Sequence, residues 1–560
     1  MVIKAEIENW IKQVIEQDRL LAAGIAGVPI SLEAPKLNKF GDYSSNLAML
    51  LAKELGRPPV ETAQSIKKML EAALSDSALS AKIDKIEVNG PGFINFFISK
   101  SCLYDILSEI SRKTDDFGRL EIGQNKKVLV EFVSANPTGP LNVAHGRQAA
   151  FGDSLANVLE FTGFRVSREY YLNDEGTQIE ILGASLRAKY LELSGQPAQF
   201  PEAGYQGKYI DDLAKAVFQR YAGKLTKDNQ RNRQFFTQFA LGRILKEIRQ
   251  DLAGFGVQFK SWFSQKKLDR SGKITQALEL LKKQDFLYEK QGAWWLATTR
   301  FGDDKDRVAI KSNGQLTYIS PDIAYHQTKF QRGFSQLINI WGPDHHGYIP
   351  RIKAVINALG HDPQKLEVLI VQLVSLSSAD QVIPMSTRMG QFVSLHDILQ
   401  AVGKDVARFF FLMRKRDSHL NFDLELAKKQ SLENPVYYIQ YAHARILNII
   451  KFAREGKKIK LKPQRKLNLS LLDKAEELAL IQALRNFPAV LESCALGLEP
   501  HRITTYLQDL AKLFHYYYEK HKVVTEDLEL TEARLFLVHA LSIVLKNGLR
   551  LLGIGAPEQM

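Results

Sequence analysis

Residues 127–147 read KVLVEFVSANPTGPLNVAHGR, and the changes of texture along this stretch decide the fold. KVLVEFV (127–133) is a short, nearly unbroken apolar run, the pattern of a strand buried on both faces of a parallel sheet. A polar loop with two prolines and a glycine, Ser134–Pro140, follows it. Helical spacing then runs from about His145 to Phe161, and a second strand pattern covers Phe164–Leu172. Strand, loop, helix and strand make a right-handed βαβ unit of a doubly wound parallel sheet. Ligands of such sheets bind outside the carboxyl ends of the strands, so the loop after the first strand is the first place to look for chemistry.

Upstream, residues 1–120 read as a small α/β module. Helical patterns at Ile7–Leu21, Asn46–Leu55 and Pro59–Leu74 precede strand-like runs at Lys85–Val88 and Gly92–Ile98, with turn signals in KFGDYSS and NGPG. Residues 121–400 are expected to form the doubly wound α/β domain, interrupted by a mostly helical insertion over about 185–290. Its further strand-like segments are Thr317–Ser320 and Gln336–Trp341, with another apolar run at Leu366–Leu376. From about Asp405 strand signals vanish. Long amphipathic patterns at Pro435–Phe452, Leu471–Leu491 and Glu532–Leu552 predict an all-α bundle over 401–560.

The 560 residues leave room for about three to five domains. Against 62 acidic side chains stand 75 Lys and Arg, a net +13. The excess is located: residues 208–273 hold 15 basic and 6 acidic side chains, and residues 401–560 sum to +7. Such a balance suits a polyanionic partner. Two distant cysteines, Cys102 and Cys494, exclude a disulfide framework or a Cys-rich zinc site and favour a reducing compartment. The N-terminus lacks the apolar core of a signal peptide, and no stretch approaches the roughly 18 apolar residues of a membrane span. A cytoplasmic protein is expected.

The chemistry-bearing residues follow from this layout. A helix starting near His145 offers free N–H groups and a partial positive charge, which favour phosphate, and Asn142 three residues earlier shares that side. A second polar loop, Pro384–Leu395 (PMSTRMGQFVSL), carries Arg388. Between Lys451 and Lys466 lie eight basic residues and one acid, Glu455, a density that attracts RNA backbone. Phe514, His515, Tyr516, Tyr517 and Tyr518 offer rings for stacking on unpaired bases, although no helix can expose five consecutive positions and part of this cluster must face the core.

These segments carry a resemblance. NVAH (Asn142–His145) resembles the HIGH element of class I aminoacyl-tRNA synthetases, and PMSTRMG resembles their KMSKS loop. VEFVSANPTGPLNVAHGR, REYYLNDEG, RFGDDKDRVAIKSNGQLTYISPDIAYH, WGPDHHGYIPRIKA, NPVYYIQYAHAR and VLKNGLRLLGIGAPEQM resemble arginyl-tRNA synthetases, block after block in the same order. KFGDYSSNLAM and GPGFINF resemble that family's additional N-terminal domain, so the likeness spans essentially the whole chain.

The resemblance implies a Rossmann-type catalytic domain at 121–400, an additional tRNA-contacting domain at 1–120 and an anticodon-binding bundle at 401–560. It implies formation of arginyl-adenylate from arginine and ATP, then transfer of the arginyl group to the 3'-terminal adenosine of tRNA(Arg), with activation itself tRNA-dependent. Mg2+ is implied as the nucleotide complex, with no protein-bound structural metal, no membrane partner and a monomeric state. A pentavalent α-phosphate needs positive charge and N–H donors more than covalent chemistry, and His145 and Arg388 would supply them. The implied catalytic residues are Asn142, His145 and Arg388, and those at ATP are Pro137, Gly139, Asn142, Ala144, His145, Met385 and Ser386. A guanidinium needs carboxylate and carbonyl acceptors, and Glu131, Ser134, Asn136, Tyr318, Asp322 and Asp344 are the implied arginine contacts. Tyr441, Arg445, Lys457, Lys458 and Lys460 are the implied tRNA contacts.

Several positions depart from the family pattern. The first His of HIGH is Asn142, whose amide can donate but carries no charge, and its Gly is Ala144. The KMSKS-like loop has Pro384 and Thr387 where lysines are usual, and Gly139 stands where some members carry a compensating lysine, which leaves Arg388 as the loop's only cation. Lys260 and Gln265 replace common acids, and Glu519, His521 and Lys522 alter a usual Asn-x-Cys-Arg. The leading expectation is an arginine–tRNA ligase; the alternative is a diverged relative that binds tRNA or arginine without efficient charging.

Overall fold

The computed structural model describes residues 2–25, 28, 30–33, 35, 40–378, 381–383, 393–459 and 467–560. Pro384, Met385, Ser386, Thr387, Arg388 and Lys460 lie outside the described residues. In the N-terminal module, β1 (Tyr43–Ser45), β2 (Ile83–Asn89) and β3 (Phe93–Ile98) pair antiparallel in the order β1-β3-β2. They share an apolar core with the helices Val2–Ile15, Leu47–Leu55 and Pro59–Leu74. The helix expected over Ile7–Leu21 is two helices, because Asp18 takes extended backbone and caps Arg19–Gly24, accepting from the N–H groups of Leu20 and Leu21. Asp42 ties the module to the C-terminal bundle, accepting from Gln482 Nε2 at 3.1 Å and pairing with Arg485 at 3.3 Å.

The apolar run becomes β4 (Lys127–Glu131), followed by β5 (Arg165–Leu172) and β6 (Ser261–Ser264). A small antiparallel meander comes next: β7 (Leu287–Lys290), β8 (Ala293–Leu296) and β9 (Arg307–Ile310). Then β10 (Gln336–Trp341) and β11 (Leu366–Ile370) return to the main sheet, which is wholly parallel in the order β11-β10-β4-β5-β6. The chain thus winds outward on one side of β4 and comes back on the other, which puts the topological switch point between β4 and β10.

Three departures from the sequence reading have physical causes. The 185–290 stretch is not purely helical, since β6 within it forms the sheet's edge. Thr317–Ser320 is not a strand. It enters the helix Ile319–Gln331, whose start is pinned to β9 by Thr317 Oγ1 donating to Val308 O at 2.6 Å and Ser320 Oγ to Ala309 O at 2.7 Å, and this contact outweighs β propensity. Leu366–Leu376 splits into β11 and β12 (Val374–Ser378), which pairs with β13 (Gln381–Ile383) and β14 (Leu420–Asp423) in a separate sheet. β14 lies past Asp405, where no strand was expected; four residues are too few to show a period. The remainder is helical as expected, with Pro435–Gly456 and Leu528–Leu551 continuous. Leu471–Leu491 is parted at Asn486, because Pro488 can only start a new helix.

The helix Val143–Phe161 is buried on nearly all sides. At Gly152 a Cβ would fall 2.3 Å from the Phe132 ring, so only glycine lets helix and sheet approach this closely. At the C-terminus, Arg408 donates to Leu552 O at 2.6 Å and to Asp153 Oδ2 at 2.7 Å, and Gly553 (φ 70°) turns the chain over its guanidinium. No helix among the described residues is long and apolar enough to cross a membrane.

Candidate active site

At the switch point, β4 ends on Glu131 and the chain enters the loop in a strained conformation. Val133 (φ 67°) and Ser134 (φ 40°) are both left-handed, which is costly for a β-branched residue, and Ser134 N–H donates to Phe132 O at 2.9 Å. The surroundings impose this turn. Ser134 Oγ donates to Glu131 Oε1 at 3.1 Å and accepts from Tyr171 N–H at 3.0 Å, while Tyr170 and Tyr209 hydroxyls hold the carbonyls of Ala135 and Thr138. Asn136 is exposed and donates to Gln178 Oε1 at 2.8 Å; Pro137 is buried and Gly139 partly so.

Asn142 is the N-cap of Val143–Phe161. Its Oδ1 accepts from His145 N–H at 3.1 Å, and His145 Nδ1 accepts from Asn142 N–H at 3.2 Å. With Nδ1 an acceptor, the imidazole carries its proton on Nε2. Burial pushes His145 down to about 4, with Asp344 acting the other way. This corrects the expectation of a cation: at neutral pH His145 is a neutral donor, and positive charge at this helix start comes from its N–H groups. The far end of the second loop meets the first here, through an isolated bridge of Asn142 to Ser394 and Leu395 N–H donating to Leu141 O at 2.7 Å. Ala144 is partly exposed beside it.

Asp322 lies in the first turn of Ile319–Gln331. Its one side-chain hydrogen bond among the described residues comes from the Tyr348 hydroxyl at 2.5 Å. Burial pushes its carboxyl up to about 6; the Tyr348 bond opposes this, Glu131's charge adds to it, and Lys329 and Arg351 oppose it. Tyr318, four residues earlier, is 88% exposed, so its phenol is uncommitted. Asp344 is exposed, 3.4 Å from His345 and near His145 rather than bonded to Asp322. The structure therefore gathers Glu131, Ser134 and Asp322, with Tyr348 and Tyr171 as partners that residue-type reasoning missed. Both lie in the WGPDHHGYIPRIKA and REYYLNDEG blocks, which was the available signal.

In the C-terminal bundle, Tyr441, Arg445, Phe452, Tyr518, Lys522 and Met560 line a cleft of about 700 Å³. Arg445 donates to the Tyr441 hydroxyl at 2.6 Å and stacks 4.6 Å over the Tyr518 ring. Phe514 and Tyr517 are buried whereas Tyr516 is half exposed, which resolves the five-ring cluster into core and surface. Lys457 and Lys458 are exposed beyond the end of the Pro435–Gly456 helix.

Three sequence families match in tandem. The arginyl tRNA synthetase N terminal domain matches residues 1–98, the class I (R) tRNA synthetase catalytic domain 107–438, and the DALR anticodon binding domain 439–560. An arginine–tRNA ligase of Citrifermentans bemidjiense is 48% identical over 95% of both chains, and one of a Geobacter species is 49% identical over 95% of both. The Thermus thermophilus arginyl-tRNA synthetase structure shares the fold over 100% of both chains, with a TM-score of 0.76 at 23% identity.

Proposed function

The chain belongs to the arginyl-tRNA synthetase family of class I aminoacyl-tRNA synthetases, and from that premise we propose which of its residues carry each part of the reaction. The activity is ATP-dependent ligation of arginine to tRNA. The observation that carries the residue assignment is Asp322, a partly buried carboxylate at the switch point with a hydroxyl partner and no ion pair among the described residues. A guanidinium there gains a charge-assisted hydrogen bond in a dry site. Glu131 and Ser134 form the floor of the pocket, Tyr318 meets the ligand from the exposed side, and Asn136 and Asp344 complete its rim.

ATP lies over the start of Val143–Phe161, among Pro137, Gly139, Asn142, Ala144 and His145, and Mg2+ arrives as part of the nucleotide complex. His145 Nε2–H donates to the developing phosphoryl charge. We assign Arg388, Met385 and Ser386 to the nucleotide as well; all three lie outside the described residues. His145→Ala is expected to lower the rate of tRNA-dependent ATP–pyrophosphate exchange by about 10²–10³, with little change in the arginine KM. The parent should show no rate change between pH 5 and 8 from His145 titration, because burial keeps that ring neutral there. A variant with parental exchange would remove His145 from the reaction.

The tRNA spans the chain. Tyr441 and Arg445 offer stacking and cationic surface to the anticodon loop, and Lys457, Lys458 and Lys460 attract backbone. The 1–120 module presents a second cleft of about 560 Å³, where Phe93 is partly exposed and the buried Oδ1 of Asn95 has no hydrogen-bond partner among the described residues, features that suit an unstacked base. All parts lie on one chain, so a monomer suffices. Replacing Lys457, Lys458 and Lys460 together by alanine is expected to flatten the log–log salt dependence of tRNA affinity by about 2–3 units. An unchanged slope would mean that none of the three touches backbone.

A further inference from the structure

A polar row crosses the parallel sheet beneath the arginine pocket. Strand register aligns Asn339 on β10, Glu131 on β4, Glu169 on β5 and Ser261 on β6 side by side. One helix, Ile319–Gln331 with its cap Arg332, answers the row. Lys329 Nζ, fully buried, donates to Glu131 Oε2 at 2.5 Å and to Asn339 Oδ1 at 2.9 Å, with the Tyr325 ring 4.2 Å away. Arg332 makes a two-pronged contact with Glu169 at 2.5 and 2.8 Å, and Ser261 Oγ donates to the same carboxylate at 2.7 Å. The Tyr325 hydroxyl stands between the acids, 3.0 Å from Glu131 and 2.8 Å from Glu169. Asn339 Nδ2 donates to His326 Nε2 at 3.1 Å, which leaves His326 Nδ1–H to hold the Asp322 carbonyl at 2.9 Å.

We propose that Lys329 is a positioning and specificity residue for arginine: a resident cation that cancels Glu131, so that the interior of the pocket offers its ligand one uncompensated carboxylate, Asp322, while Asp344 stays in solvent at the rim. Two acids and two bases close the row at net zero. The remaining charge facing Asp322, Arg351 on the Ile349–Ala358 helix, stands 4.0 Å from Asp303, an acid that also pairs with Arg307. Tyr348 and Tyr171 present hydroxyl groups from the other sides. A pocket with one free negative charge takes a side chain with one positive charge. Without Lys329, Glu131 would be a second free acid, and its charge, which already pushes the Asp322 carboxyl up, would act without a cation to offset it. The inference rests on the assignment of Asp322 to the guanidinium.

The test is calorimetric binding of arginine to the full chain with tRNA present, across pH 5–8.5. In the parent, protonated Asp322 has lost the charge that pairs with a guanidinium. Affinity is therefore full well above about pH 6 and falls about tenfold per unit below it, with one proton released per arginine. A limiting slope of two protons in the parent would overturn the proposal, since it would mean that the pocket holds a second acid without a standing cation. Lys329→Met is expected to move this acid limb up by a unit or more, weakening arginine at least about threefold at pH 6.5. Glu131→Gln combined with Lys329→Met restores charge balance, and its limb should return close to the parent's whatever its absolute affinity. A folded Lys329→Met with an unmoved limb, or a double variant with a raised one, would overturn the proposal. If Lys329→Met alone does not fold, the double variant and the parent's proton count decide. Parental arginine affinity in Asp322→Asn would instead overturn the pocket assignment itself.

Discussion

Asp322→Ala is expected to lower kcat/KM for arginine activation by at least about 10³-fold while tRNA affinity changes less than twofold. The size follows from what the site is built to do. A buried acceptor meeting a charged donor discriminates strongly, and losing it leaves the guanidinium desolvated and unpaired. The direction follows from placement. Asp322 sits at the carboxyl end of the parallel sheet, away from the bundle cleft of Tyr441 and Arg445, so tRNA binding has no reason to sense it. The alanine also frees the Tyr348 hydroxyl, which then stands buried without its acceptor. Pyrophosphate exchange at saturating tRNA, with filter binding of tRNA alongside, measures both halves. Activation that survived would mean that the guanidinium lies elsewhere.

Arg147→Met is expected to cost about 3–5 kcal/mol of stability, read as a fall of roughly 6–15 °C in the thermal midpoint of the catalytic region. Arg147 is 1% exposed and donates to three backbone carbonyls, those of Gln372, Lys415 and Ser418, at 2.8–2.9 Å. Burial lowers its guanidinium to about 10, so it remains charged at every working pH. Methionine fills much of the volume but takes the guanidinium donors away from the Gln372 and Ser418 carbonyls, while Lys415 O keeps only the Ser418 N–H at 3.1 Å. Those carbonyls flank β12 and β14, which lie in the sheet leading to the second loop, so activity at permissive temperature should fall as well. A variant as stable as the parent would show that water replaces the guanidinium freely.

The parallel sheet was legible because β4 is buried on both faces and shows it in KVLVEFV, and because the following loop and helix carry their own signals. Asn142 and His145 were legible as a helix start; that each caps the other, leaving a neutral imidazole, was not, since it depends on which ring nitrogen meets a backbone N–H. The polar row was invisible in sequence. Glu131, Glu169, Ser261 and Asn339 come from four separate strands, and register alone sets them side by side. Thr317–Ser320 misled for a related reason: local β propensity yielded to two hydroxyl contacts with β9.

Against the sequence pattern expected at Asn142, Ala144, Pro384 and Thr387 stand the grouping of Glu131, Ser134 and Asp322 and the helix start capped by Asn142. We expect these elements to suffice for catalysis. The most direct measurement is arginine-dependent ATP–pyrophosphate exchange and aminoacylation by the purified full chain with and without tRNA(Arg). Exchange that needs tRNA, together with arginyl-tRNA formation, is the predicted result. Tight binding of tRNA and arginine with neither exchange nor charging would contradict it.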